Sequence, residues 1–273
     1  MIEHFHRPGT IREALALKRR FQGRALFLAG GTWVNSSDSG LRPEHCISLE
    51  GLGLDRIERK RGQVVIGALC TLQRLIEDRM IPPALKAAAS QIVSRNVRNA
   101  ATIGGHVAGN LPLSDLIPML VALEAKARLS RPGTSRTIGV ADYVASPAPG
   151  LITKIVVPRP GASRVAACRN VRASANARSI FSAAVSMTIV RDVVKDPIIA
   201  LGGLGGHVVR LTAVEGVLDG KPLPATDEIQ ALVSRSVRPA AALSGSAAFR
   251  KYQAGVVVAL ALRDARGQKG DRG

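Results

Sequence analysis

Ala101-Thr102-Ile103-Gly104-Gly105-His106-Val107-Ala108-Gly109-Asn110-Leu111-Pro112-Leu113-Ser114-Asp115 runs straight into an apolar, helix-like segment, Leu116–Leu123. It joins a β-prone entry, a glycine pair and a Ser-Asp pair at a helix start. Glycine has no Cβ, so a ligand can come close to the backbone N–H groups there, as a phosphate or a flat cofactor requires. Ser114 and Asp115 are placed to cap the Leu116 helix, whose first turn tolerates Pro118. A branched side chain at Gly104 or Gly105 is therefore expected to block a ligand while leaving the protein folded.

A second pair, Gly30-Gly31-Thr32, follows the apolar run Ala25–Ala29, which is short enough for a buried strand. Two such loops, each fed by a strand-like segment, point to one extended ligand held between them. Neither is a dinucleotide fingerprint. Gly30-Gly31 lacks G-x-G-x-x-G spacing, Gly203-Leu204-Gly205-Gly206 has no third glycine in place, and no loop ends in G-K-[ST]. Hydrolytic motifs are missing too: G-x-S-x-G and H-E-x-x-H do not occur.

Outward from the glycine loops, the pattern mixes helices and strands without regular βαβ alternation, so the expected class is α+β. Thr10–Glu13 has capping-box spacing ahead of a helix that Gly23 ends, Thr71 can cap a second, and Pro82-Pro83 opens a third. Strand-like runs follow at Ala127–Leu129, Leu151–Val157, Val165–Val171, Ile180–Val190 and Ile198–Leu201. Pro158-Arg159-Pro160-Gly161 is the expected domain boundary. The last helical pattern spans Phe249 to about Asp264, and Gly267–Gly273 reads as a flexible tail.

Composition sets limits. The 273 residues are 46% hydrophobic but only 3% aromatic, so the core must be built from Ala, Val, Leu and Ile. Neither end reads as a targeting signal and the most apolar run is too short to span a bilayer, so a soluble, cytoplasmic protein without a membrane partner is expected. Cys46, Cys70 and Cys168 are scattered, which excludes a zinc or iron–sulfur motif within this chain. His4, His6, His45, His106 and His207 show no ligand spacing, so no metal site is expected. The net charge of +18 motivates a nucleic-acid-binding reading, but the basic residues spread from Arg7 to Arg272 and few aromatics are available for base stacking. No nucleic-acid partner is expected.

Ala29-Gly30-Gly31-Thr32, Arg98-Asn99-x-Ala101-Thr102-Ile103-Gly104-Gly105 and Ser114-Asp115-Leu116 together resemble the FAD-binding subunit of the xanthine dehydrogenase and carbon monoxide dehydrogenase family of molybdenum hydroxylases. Ile47-Ser48-Leu49, Ile66-Gly67-Ala68 with Thr71, Ile199–Gly203 and Gly245-Ser246-Ala247 extend the resemblance over nearly the whole chain. It implies a two-part FAD-binding domain of the vanillyl-alcohol oxidase (PCMH) type over residues 1–160. A smaller α/β C-terminal domain over 161–266 and the tail 267–273 would follow.

Carried over by position, the resemblance implies that Leu28, Ala29, Gly30, Gly31, Thr32, Trp33 and Val34 wrap the FAD pyrophosphate. Thr102, Ile103, Gly104, Gly105 and His106 would form the second loop, with Ser114 beside it and Asp115 on a polar part of FAD. Ile152 would lie beside the flavin, and Arg169 stands where the family usually has Lys. His106 replaces the usual Asn, Trp33 the usual acidic residue, and Arg172-Ala173-Ser174-Ala175-Asn176 lacks the acidic residue often found there. These departures keep a second reading open, an assembly scaffold that has lost its flavin. The implied partners are a molybdopterin-binding subunit and a 2Fe-2S subunit, with NAD+ as one acceptor. No catalytic residue is implied, because the flavin carries the redox chemistry.

Overall fold

A computed structural model describes residues 2–92, 94–174, 177–242 and 245–270. The expected mixture of helices and strands is present, in three sheets. The first is small and parallel, with order β1 (His4–His6), β3 (His45–Ser48), β2 (Ala25–Leu28). Helix α1 (Ile11–Phe21) packs on it through Ala14. The Thr10 hydroxyl accepts the Glu13 N–H at 3.2 Å, and the Glu13 carboxylate reaches back to the Gly9 N–H at 2.9 Å. This is the reciprocal cap that the Thr-x-x-Glu spacing predicts, shifted back one residue on its return leg.

The second sheet has order β4-β5-β8-β6-β7: β4 (Ile57–Lys60), β5 (Gln63–Gly67), β6 (Lys126–Arg131), β7 (Thr134–Gly139) and β8 (Leu151–Pro158). The polar strands β1, β4 and β7 carry no apolar run and went unread in the sequence. Between the β5 and β6 stretches come α2 (Leu72–Glu77), α3 (Pro83–Ser90), α4 (Arg95–Ala100), α5 (Ile103–Gly109) and α6 (Ile117–Ala122), with α7 (Val140–Ala145) following β7. The principal departure from expectation is α5: the stretch read as an open glycine loop is a short helix capped by Thr102.

Residues 164–270 form an antiparallel sheet, β12-β11-β10-β9, with α8 (Thr212–Leu218), α9 (Thr226–Ser236) and α10 (Ala247–Gly270). Its strands are β9 (Arg164–Arg172), β10 (Ser179–Val190), β11 (Val193–Gly202) and β12 (Val209–Arg210). Period-two alternation along β10 puts Phe181, Ala183, Val185 and Met187 into a core shared with α8–α10. Ala184, facing the other way, joins the core of the first domain. Helix α6 lies against β10 and β11 with all six of its residues buried. At this seam the Ser186 hydroxyl donates to the Ala122 carbonyl and accepts from Arg164 at 2.8 Å. Helix α10 continues six residues past the predicted end at Asp264. Residues 267–270 of the expected tail are therefore helical, and 271–273 lie outside the described residues.

Candidate functional site

Strand β2 delivers the chain to Ala29. The Leu28 carbonyl accepts the Leu49 N–H at 2.9 Å, the last tie of the loop to the sheet. Gly31 then turns through φ +69°, a left-handed conformation that favours glycine, and its carbonyl accepts the Asn35 N–H at 2.9 Å. The Trp33 carbonyl accepts the Ser36 N–H at 2.9 Å. Carbonyls are thus committed within the loop, whereas the N–H groups of Ala29 through Val34 have no hydrogen-bond partner among the described residues. Six consecutive donors on one tight loop form a nest for an anion. Trp33 is half-buried, with the Arg178 guanidinium 6.0 Å from its ring centroid, and Arg178 also pairs with Asp38 at 3.2 Å.

The second segment lies alongside. A Cβ added to Gly30 would sit 1.6 Å from the Ala100 carbonyl oxygen, so only glycine lets this loop abut the chain entering α5. A Cβ on Gly105 would lie 3.8 Å from that of Ala29. The fold therefore does bring the two glycine pairs together. Their chemistry differs from the expectation, however. The N–H of Ile103 goes to the Cys70 carbonyl at 3.0 Å and that of Gly104 to the Ala68 carbonyl at 2.8 Å. Gly105 donates to the Thr102 hydroxyl at 3.1 Å and His106 to the Thr102 carbonyl at 2.9 Å. None of these four donors is left for a ligand. Gly104 is buried against Ala68, where an added Cβ would lie 2.5 Å from the Ala68 Cβ. The expectation that a branched residue at Gly104 spares the fold is corrected on this ground. Gly105 is exposed and remains the glycine of this pair that a ligand can approach.

The neighbouring polar residues turn inward. Ser114 Oγ accepts the N–H groups of Leu116 at 3.2 Å and Ile117 at 2.9 Å, the expected cap of α6. Its hydroxyl proton is then free for His106 Nε2, 2.7 Å away, which fixes that nitrogen as the acceptor and places the ring proton on Nδ1. Burial pushes the His106 pKa down to about 4, against a smaller opposing pull from Asp115. The ring is neutral at physiological pH.

Asp115, expected on a polar part of FAD and as a cap, is instead buried on three partners from the C-terminal domain. Asn170 Nδ2 donates to it at 3.1 Å, Arg172 Nη2 pairs with it at 3.1 Å, and the Ser179 hydroxyl also donates to it. Arg172 reaches further, to the Gln91 carbonyl. Asn170 and Arg172 stand two apart on β9, so strand alternation put them on one face, a signal the sequence offered. Ala175 and Asn176 of the neighbouring stretch lie outside the described residues.

Two further expected residues lie apart from the donor row, the first in the core behind α5, against which β8 packs. Ile152 is buried in the main core opposite Leu129. Arg169 pairs with Asp264 of α10 and lines a separate cleft of about 710 Å³, together with Arg59, Arg79 and Arg159.

Residues 1–160 match the model of the FAD binding domain in molybdopterin dehydrogenase, and 166–265 match the CO dehydrogenase flavoprotein C-terminal domain. The chain belongs to this flavoprotein family. It is 37% identical over 260 residues to the uncharacterized protein YgfM of Escherichia coli K12, covering 95% of both chains. It is 28% identical to the carbon monoxide dehydrogenase medium chain of Afipia carboxidovorans, covering 96% of each. A chain of carbon monoxide dehydrogenase from Hydrogenophaga pseudoflava superimposes with a TM-score of 0.91 at 28% identity, over 98% of both. The family assigns the cofactor as FAD and the chain as a subunit of an oxidoreductase. The donor row at Ala29–Val34 fits that cofactor, whose diphosphate is an anion needing several N–H groups at close approach. No helix among the described residues is long and apolar enough to cross a membrane.

Proposed function

We propose that this chain is the flavin subunit of a cytoplasmic, heteromeric molybdenum hydroxylase. It would take electrons from a 2Fe-2S subunit, itself fed by a molybdopterin-binding subunit, and pass them to NAD+ or another acceptor. The observation that carries the flavin part is the run of six uncommitted N–H groups from Ala29 to Val34. The partner part rests on relatives named as medium chains of dehydrogenases.

When bound, FAD supplies the capacity to accept and release electrons. The chain's own residues bind and orient it. Ala29 through Val34 hold the diphosphate on their N–H groups, with the Thr32 hydroxyl adding a donor, while Leu28, whose N–H is spent in the β2 ladder, anchors the loop to the sheet. Thr102, Ile103 and Gly104 set the floor, and Gly105 leaves the face open. Ser114, His106 and Asp115 act as positioning residues that fix the second segment and the domain seam. Ile152 and Arg169 are further candidates for flavin contact.

Purification of the chain followed by visible absorption spectroscopy tests the reading. Flavin bands are expected at one FAD per chain, and Gly105→Val, whose Cβ would lie 2.8 Å from Thr102 Oγ1, is expected to lose them and to disturb the α5 cap. A chain that stays colourless after FAD is added overturns it. Co-purification with iron–sulfur and molybdopterin subunits, and reduction of the flavin by that complex with substrate, test the partner assignment.

A further inference from the structure

Three of the five histidines, dispersed in sequence at positions 4, 6 and 45, meet on the small N-terminal sheet. Strand alternation puts His4 and His6 on one face of β1, and the parallel register sets His45 of β3 beside His4. The His4 and His45 rings stack at 4.7 Å, and Phe21, at the end of α1, stacks on His45 at 3.7 Å. Rings that both lie near-parallel to His45 at such distances must cover its two opposite faces. His6 Nε2 lies 3.1 Å from His45 Nδ1. Among the described residues no group of three or more His, Cys, Asp or Glu side chains is arranged to hold a metal ion, so the cluster needs another explanation.

A hydrogen bond between two imidazoles requires one ring to accept, so His6 and His45 cannot both be protonated in this arrangement. Charging His4 as well would set like charges within a few ångströms of each other. The surroundings give little compensation. Arg24 follows α1, Arg20 stands over Phe21, and Lys18 points to the carbonyls of Gln22 and Ala25. Arg7 follows β1 and stands over Phe5. Glu3 precedes β1 on an exposed position, and Glu44, adjoining His45, is already paired with Arg24 at 3.1 Å. Burial, followed by the charges of His4, His6 and Arg24, holds the His45 pKa below its ordinary value, with Glu44 opposing. The folded state therefore binds fewer protons here than the unfolded chain, and its stability falls as pH drops below the ordinary histidine range.

His45 pairs with Ala25, the first residue of the strand that leads into the Ala29–Val34 loop. We propose that His4, His6 and His45 form an acid-sensitive clasp on the N-terminal sheet. Protonation of the clasp loosens β2 and the diphosphate loop, and lowers FAD affinity before the rest of the protein unfolds. The affinity part rests on the flavin reading above; the local loosening does not.

Two measurements on the full chain decide it, each from about pH 7.5 to about pH 5.5, across the ordinary histidine range. Flavin fluorescence reads the FAD dissociation constant, and amide hydrogen-exchange protection in the FAD-free protein, taken relative to the intrinsic exchange rate at each pH, reads Leu26 and Leu28, whose N–H groups tie β2 to β3. In the wild type, affinity is expected to fall about tenfold over this interval, as for net uptake of one proton over about one pH unit. Protection at Leu26 and Leu28 falls in step, while the core of the C-terminal sheet stays protected. His45→Phe keeps the stack and removes the titration, so both responses flatten at unchanged affinity near pH 7.5. His4→Gln, on an exposed position, covers the case in which His45→Phe fails to fold, and moves the response to lower pH. The clasp is overturned if protection at Leu26 and Leu28 is indifferent to pH, or if the folded variants keep the wild-type response. If no FAD binds at any pH, the flavin reading fails and exchange alone still decides the loosening. His106 adds its own acid sensitivity below about pH 6.5, but it lies on α5, and the His45→Phe comparison separates the two contributions.

Discussion

The two glycine pairs lie side by side and look alike in sequence, yet they use the missing Cβ for different ends. In Ala29–Val34 the glycines release backbone: Gly31 supplies a left-handed turn, and six N–H groups are left without internal partners. In Thr102–His106 the glycine at 104 admits the neighbouring chain instead, packing on Ala68, and every N–H from Ile103 to His106 is used at home. The first segment is built for a ligand, and the second holds the wall against which the first is placed. A Gly-Gly pair in a sequence therefore announces close approach without saying whether a ligand or the protein itself approaches.

The largest expected effect tests the structural side of this contrast. Asp115→Ala strips a buried carboxylate from Arg172, Asn170 and Ser179, and breaking such a pair should cost about 3–5 kcal/mol in urea-induced unfolding. A loss below ~1 kcal/mol, the worth of an exposed pair, would contradict the seam described here. Next comes Gly104→Val. Forcing a branched side chain against Ala68 should cost about 3 kcal/mol by overpacking, read as a lowered melting temperature in the protein without flavin. Wild-type stability with lost flavin would reverse the roles assigned to the two pairs. Gly31→Ala should cost roughly 1–2 kcal/mol for its left-handed backbone and should weaken FAD binding by more than that stability loss accounts for. Equal binding would remove the first loop from the site.

The smallest effect sharpens the second segment. His106→Asn removes the bond to Ser114, at a cost of about 1 kcal/mol at neutral pH. Because the folded pKa is about 4 and that of a free histidine about 6.5, the wild type loses stability as pH falls from about 6.5 toward about 4. The Asn variant should lack that part of the acid sensitivity. Melting temperatures over this range read it, and identical slopes in the two proteins would place the sensitivity elsewhere.

Much of the fold was legible because its signals are local. Thr10 and Thr71 cap where their spacing says, and Pro83 opens α3, with Leu85, Ala88 and Ala89 buried as their spacing requires. The apolar strands β2 and β8 also stand where the runs predict. The edge strands β4 and β7 were hidden because a strand with an exposed face needs no apolar run. Helix α5 was hidden because Gly104, Gly105 and Gly109 have poor helix propensity, and the contacts of Gly104 with Ala68 that override it are tertiary. The candidate loops were legible as a pair, but the direction of Asp115 was not. Its partners lie 55 to 64 residues away, and no pattern local to Ser114-Asp115 points to them.

The Asp115–Arg172 contact bears on how this chain could be recombined. The family segments 1–160 and 166–265 look exchangeable, like cassettes joined at Pro158–Gly161. Yet the carboxylate belongs to one cassette and its guanidinium to the other, and the same is true of Ser186 and the Ala122 carbonyl. A hybrid that takes its halves from two relatives would inherit a buried acid without its base unless both sides of the join matched. The two halves therefore have to be matched at this join, as a lock is to its key.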